Sequence, residues 1–184
     1  ATQFNNLDVT NDGDGAITIK QIAAADNQRL GISDVSGDLN LVNVMSTDAS
    51  SGRHVNISVD AGALTVDGTG IAVSGNGDIS LQASGNLTVL QGISGNAEIE
   101  LDIDGSATFN ADIETSNAQV MTVRVDGDVA QNADLLNNGG RIRLFIGGDL
   151  TMNVANKIYA VKVGGSGNGE IDAKVTGDVI ASRF

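Results

Sequence analysis

The chain has 184 residues, among them 24 Gly, no Pro, no Cys and no Trp, with a formal net charge of −13. Zero Cys excludes disulfides and thiolate metal centres, and ten Lys and Arg against 23 Asp and Glu do not supply the clustered cations that nucleic acid or an anionic membrane requires. No apolar run approaches the roughly 20 residues of a membrane span, yet 41% of the residues are apolar and evenly spaced, so the chain can bury a core.

Residues 1–14 read as an N-terminal flank or partial coil. They run into Asn-Asp-Gly-Asp-Gly (Asn11 to Gly15), with Ile17 beyond it. This has the look of part of a calcium loop. With Gly15 as the loop glycine, Asp12 and Asp14 fall at two ligand positions, Thr10 stands at the first, and Gln21 replaces the bidentate Glu. Asp12 and Asp14 are therefore the candidate metal ligands, and calcium is the one cofactor to test. The competing reading is an Asp/Gly-rich turn into the first strand.

From Gly15 to the end one unit recurs. It reads ISDVSGDLNL, ISVDAGALTV, ISLQASGNLTV, IELDIDGSATF, MTVRVDGDVAQ, IRLFIGGDLTM and IDAKVTGDVIA. The pivot glycines are Gly37, Gly62, Gly85, Gly105, Gly127, Gly148 and Gly177, preceded by Gly15. Successive gaps are 22, 25, 23, 20, 22, 21 and 29 residues. Within each unit the apolar residues alternate, which marks strands. They tend to fall six, four and two before the pivot and two and four after it, as in Ile99, Leu101, Ile103, Ala107 and Phe109. The pivot and the residue after it (Asp38, Asn86, Ser106, Asp128, Asp149, Asp178) form a corner where positive φ is tolerated. The Gly62 unit fits with a one-residue slip, read as a bulge.

A unit of about 22 residues cannot bury its apolar side alone. Stacked coil on coil, equal positions form continuous ladders. The predicted fold is all-β: a right-handed parallel β-helix of about seven coils spanning 15–184. It predicts one inward column of Leu39, Leu64, Leu87, Ala107, Val129, Leu150 and Val179, with neighbours about 5 Å apart. The alternative is an antiparallel sandwich with regular turns, whose strands would not repeat one corner dipeptide. Only four Phe and one Tyr are present, and a core of stacked branched aliphatics needs no more.

These units, with GDLNL, GNLTV and GDLTM each preceded by an I-x-L or V-x-V step, resemble the parallel β-helix repeats of filamentous-haemagglutinin-like and other giant bacterial surface adhesins. The likeness covers nearly the whole chain from Gly15. It implies a rod exposed at the surface of a bacterium and engaged in adhesion or matrix; separately, outward acids on a solvated β-helix face are ordinary and His54 has no evident partner, so no enzyme is expected. Implied partners are neighbouring solenoid domains or identical subunits stacked end to end, with host or matrix glycans as ligands, and no nucleic acid or membrane insertion. Bactofilin-like cytoskeletal solenoids share the G-D-V corner of Gly177, Asp178 and Val179 but use a shorter repeat. Leucine-rich repeats are excluded, since no L-x-x-L-x-L run occurs.

Three further features bear on chemistry. Gly164 to Asp172 (GGSGNGEID) approaches the calcium nonapeptide, but Gly169 stands where the ligand Asp belongs, so an inserted loop explains it and the 29-residue gap. His54, the only histidine, is read in a loop with Ser51, Gly52 and Arg53. Glu98, Glu100, Asp102 and Asp104 alternate outward from one strand and are the carboxylates a polysaccharide-active β-helix enzyme would use. Equal offsets place Asp102 beside Arg124 and Glu100 two coils from Arg143, which gives the acids a structural use.

Overall fold

In residues 99–116 the alternation Ile99, Leu101, Ile103 places three branched side chains on one side of strand Ile99–Ile103, each at most 1% exposed. At Asp104, Gly105 and Ser106 the chain turns, and Ala107–Phe109 runs as a second short strand. A bend at 110–112 leads to a third, Ile113–Thr115. Strands of three to five residues are unstable alone. Each is held by parallel pairing with its counterparts in the coils before and after.

The computed structural model describes residues 6–7, 10–11, 17–19, 22–24, 29–34, 37–46, 52–116, 119–153, 156–161 and 169–181. Among them are two parallel sheets and no helix. The first sheet has nine strands stacked in chain order: Asn6–Leu7 and Thr10–Asn11, both paired with Arg29–Asp34, then Gly52–Val59, Gly77–Ala83, Ile99–Ile103, Val120–Val125, Arg141–Ile146 and Glu170–Val175. The second sheet forks. Leu39–Ser46 and Leu64–Val73 each span both short-strand positions. Beyond them one arm runs through Leu87–Val89 to Val179–Ala181 and the other through Ile93–Gly95 to Ile158–Val161. The protein is thus an all-β parallel β-solenoid with a repeat of about 22 residues. Parallel pairing throughout the described strands excludes the antiparallel sandwich.

The anticipated inward column is present rung by rung: Leu39, Leu64, Leu87, Ala107, Val129, Leu150 and Val179 are consecutive register partners. All are buried through Leu150, while Val179 is 48% exposed in the last described coil. Each buried Leu, Ile or Val contributes roughly 1.5–3 kcal/mol, so cohesion rises with every coil added.

Some inward positions are polar, and their donors find backbone carbonyls. Asn137, fully buried, donates from Nδ2 to the carbonyls of Gln119 (2.9 Å) and Arg141 (3.0 Å), and its Oδ1 accepts the Gly140 N–H at 2.9 Å. Thr115 donates to the Ala97 carbonyl at 2.8 Å. Gln131 donates to the carbonyls of Ala133 and Lys157, both at 3.1 Å, while its Oε1 has no partner. These side chains take up backbone carbonyls where the return loops leave the sheets, and buried carbonyls need donors.

The corners correct the expectation about glycine. The Gly85, Gly105, Gly127, Gly148 and Gly177 N–H groups donate to the carbonyls of Gly62, Gly85, Gly105, Gly127 and Gly148, at 2.8–3.2 Å. None of these five has positive φ; Gly37, at 103°, does. Glycine is required because the coils pass so close. A Cβ at Gly85 would lie 2.2 Å from the Gly62 carbonyl oxygen, and one at Gly105 would lie 2.5 Å from that of Gly85.

The Gly62 slip is also relocated. Val59 pairs with Ala83 and Leu64 with Leu87, so the extra residue lies in the corner at Asp60–Ala61, not in the strand. The strand irregularity falls at His54, where register moves from Arg53–Asp78 to Val55–Ile79. His54 therefore belongs to strand Gly52–Val59 and not to a loop.

Candidate functional site

Two surfaces carry the polar chemistry: the pivot corner and the outward face of the first sheet. At the corner, side chains form a one-way ladder between coils. Asn86 Oδ1 accepts the Ser106 N–H (2.9 Å), Ser106 Oγ the Asp128 N–H (3.1 Å), Asp128 Oδ1 the Asp149 N–H (2.8 Å) and Asp149 Oδ1 the Asp178 N–H (2.7 Å). Asp38 serves Ala63 in the same way at 2.9 Å. Read from sequence, Asp128, Asp149 and Asp178 stack at one corner, where each carboxylate either caps an N–H of its own turn or shares a divalent cation with its neighbours, the first being the expectation. The acceptor instead reaches the next coil, because the amide facing it there would otherwise lack a partner. A second such ladder links Asp112 to Asp134 (2.9 Å) and Asp134 to Lys157 (2.7 Å).

The outward face of the first sheet is divided by charge. Register sets Glu100 between Ser80 and Thr122, with Arg143 and Asp172 following; the next column runs Gln82, Asp102, Arg124, Phe145 and Lys174. Asp102 and Arg124 are thus neighbours, and Glu100 and Arg143 stand two coils apart with Thr122 between, as the offsets predict. The ion pair itself runs diagonally: Arg124 Nη1 lies 3.5 Å from Glu100 Oε1. Arg124 turns this way because its guanidinium also stacks over Phe145, 5.1 Å from the ring centroid. Arg141 pairs with Glu170 across adjacent strands.

Two shallow open grooves lie on this face. One, of about 340 Å³, includes Ser58, Asp60, Gln82, Asp102 and Asp104 in its lining. The other, of about 190 Å³, includes Arg124, Asp126, Phe145, Lys174 and Thr176. Of the four predicted carboxylates, Glu100 and Asp102 stand on this face of strand Ile99–Ile103, and Asp102 and Asp104 line the first groove. Among the described residues no three His, Asp or Glu are grouped to hold a metal ion.

Asp12 and Asp14 lie outside the described residues, as do Gly164 to Asn168 of the glycine-rich segment. The cation–aromatic stack went unremarked in the sequence, although alternation in Ile142-Arg143-Leu144-Phe145-Ile146 already points Phe145 outward. The inter-coil corner ladder had no local signal, since donor and acceptor are 20 to 29 residues apart.

Fold and surface define a repeat protein of the parallel β-solenoid class. Comparison with known proteins finds no matching family, no matching curated protein and no matching solved structure.

Proposed function

We propose that this chain is a structural and adhesive rod segment of a bacterial surface adhesin or exoprotein, working outside the cell by spacing or presenting a binding surface. The observation that carries the reading is the stack itself: successive coils of about 22 residues pair in parallel and in register along two sheets, an extended repeat whose outward faces are left to solvent and whose length grows coil by coil. Neighbouring solenoid domains or identical subunits end to end are the partners this reading proposes. The acidic net charge and the absence of Cys suit this role.

Immunogold electron microscopy of the native producing cells tests the proposal. Label on thin rods outside the cell is the expected result. Label confined to the interior would overturn the extracellular role. Filaments built of identical subunits, in place of rods within a longer chain, would favour the end-to-end polymer.

A further inference from the structure

We infer that the outward face of the first sheet is a self-association surface, on which a second copy of this chain docks side by side in the opposite direction. Lateral pairing goes beyond the rod reading above, which concerns stacking along the axis, and does not depend on it.

The outward charges are ordered along the rod. Strand Ile99–Ile103 and the corner after it present Glu100, Asp102 and Asp104. One coil later Thr122 and Arg124 follow, and the coil after that presents Arg141, Arg143 and Phe145. Acid thus lies on one side of strand Val120–Val125 and base on the other. A face of this kind is complementary to itself when one copy is reversed.

Register fixes which residues meet. A two-fold axis normal to the sheet, midway between Thr122 and Arg124, exchanges the strand before Val120–Val125 with the strand after it. It also reverses strand direction, so an outward position near the corner exchanges with one near the strand's start. Asp102 of one copy then faces Arg143 of the other, and Asp104 faces Arg141, each pair occurring twice. The acids that border the cations meet no acid. Asp126 falls opposite Val120, Asp172 opposite Gln82 and Glu170 opposite Ser84.

Existing contacts decide which pair carries the association. Arg124 is occupied by Glu100 and the Phe145 ring, and Arg141 by Glu170. Among the described residues Asp102, Asp104 and Arg143 enter no ion pair. Asp102 with Arg143 is therefore the decisive pair, and Asp104 adds a second carboxylate to Arg141. Five consecutive strands overlap, from Gly77–Ala83 to Glu170–Val175. At about 4.8 Å per rung and about 6.8 Å per outward position, the shared area is roughly 600 Å² per copy. That is the size of a weak, reversible dimer.

Sedimentation equilibrium of the chain, at concentrations up to about 1 mM, tests the inference. A concentration-dependent monomer–dimer equilibrium is expected. Arg143→Asp and Asp102→Arg each set like charges against each other twice, and each should weaken the dimer by about tenfold or more. An equimolar mixture of the two variants restores opposite charges at both positions, so dimers of near-parent strength should return. A misfolded variant could not give that recovery. Lys157→Glu, just before second-sheet strand Ile158–Val161, should leave the dimer unchanged. Circular dichroism verifies that the variants fold, and Arg143→Gln, which removes the pair without adding repulsion, serves if Arg143→Asp does not. A chain still monomeric at the highest concentration would overturn the inference. So would a dimer indifferent to both face variants, the result expected of end-to-end association, or a mixture no stronger than its components.

Discussion

The pivot glycines show how one missing carbon sets the spacing of the whole stack. Gly105 has ordinary backbone angles, but its absent Cβ would lie 2.5 Å from the Gly85 carbonyl oxygen and 2.6 Å from Asn86 Oδ1. Gly105→Ala should therefore push two coils apart and lower stability by about 1–3 kcal/mol, the usual range for overpacking. Chemical denaturation would measure it, and an unchanged midpoint would remove close approach as the reason for glycine. The corner ladder gives a matched pair of variants. Asp128→Ala removes the acceptor for the Asp149 N–H and should cost about 1 kcal/mol. Asp128→Asn keeps an acceptor and should stay near the parent. Equal losses in both would mean that charge, and not the hydrogen bond, matters at this corner. The residue types at the corners were readable in sequence; their partners were not, because each bond joins positions a full coil apart.

At the scale of the strand, Arg141–Ile146 illustrates how two faces are specified at once. Ile142, Leu144 and Ile146 point inward and are at most 3% exposed, while Arg141, Arg143 and Phe145 alternate outward. Leu144→Asp would strand a charge between Val123 and Ala173, its partners on either side. Burying an unpaired carboxylate is unfavourable by several kcal/mol, so this coil and its neighbours should unfold, visible as lost cooperativity in thermal melts. A native-like melt would show that the column tolerates local opening. On the outward side, Arg124→Glu should lower stability modestly, by about 0–1 kcal/mol for the exposed ion pair with Glu100 plus the loss of its stacking on Phe145. Salt screens the first contribution, so the difference should shrink in high salt without vanishing. A difference independent of salt would assign the effect to Phe145 alone. Alternation predicted these two faces residue by residue. It did not predict that Arg124 reaches Glu100 in place of Asp102, because the choice depends on the aromatic ring one coil further on.

Among the described residues the solenoid is held by parallel pairing and packing between neighbouring coils. At its acidic corners the Asp128 and Asp149 carboxylates each accept an N–H from the next coil, so a divalent cation is not expected to be needed there. EDTA is expected to leave the melting temperature unchanged; a rise of several degrees with calcium would point to the Asp12 and Asp14 segment. The sequence by itself determined the architecture, since period-two alternation repeated about every 22 residues leaves parallel stacking as the arrangement that buries every apolar face. It determined register for the same reason: Leu39 to Val179 form one column only if equal positions align. Tertiary structure alone decided how the corners are satisfied, where the extra residues of the Gly62 and His54 irregularities sit, and that buried Asn137 and Gln131 serve return-loop carbonyls. Those outcomes depend on which atoms of adjacent coils come within hydrogen-bond reach, and a linear chain does not display that distance until it has wound past itself.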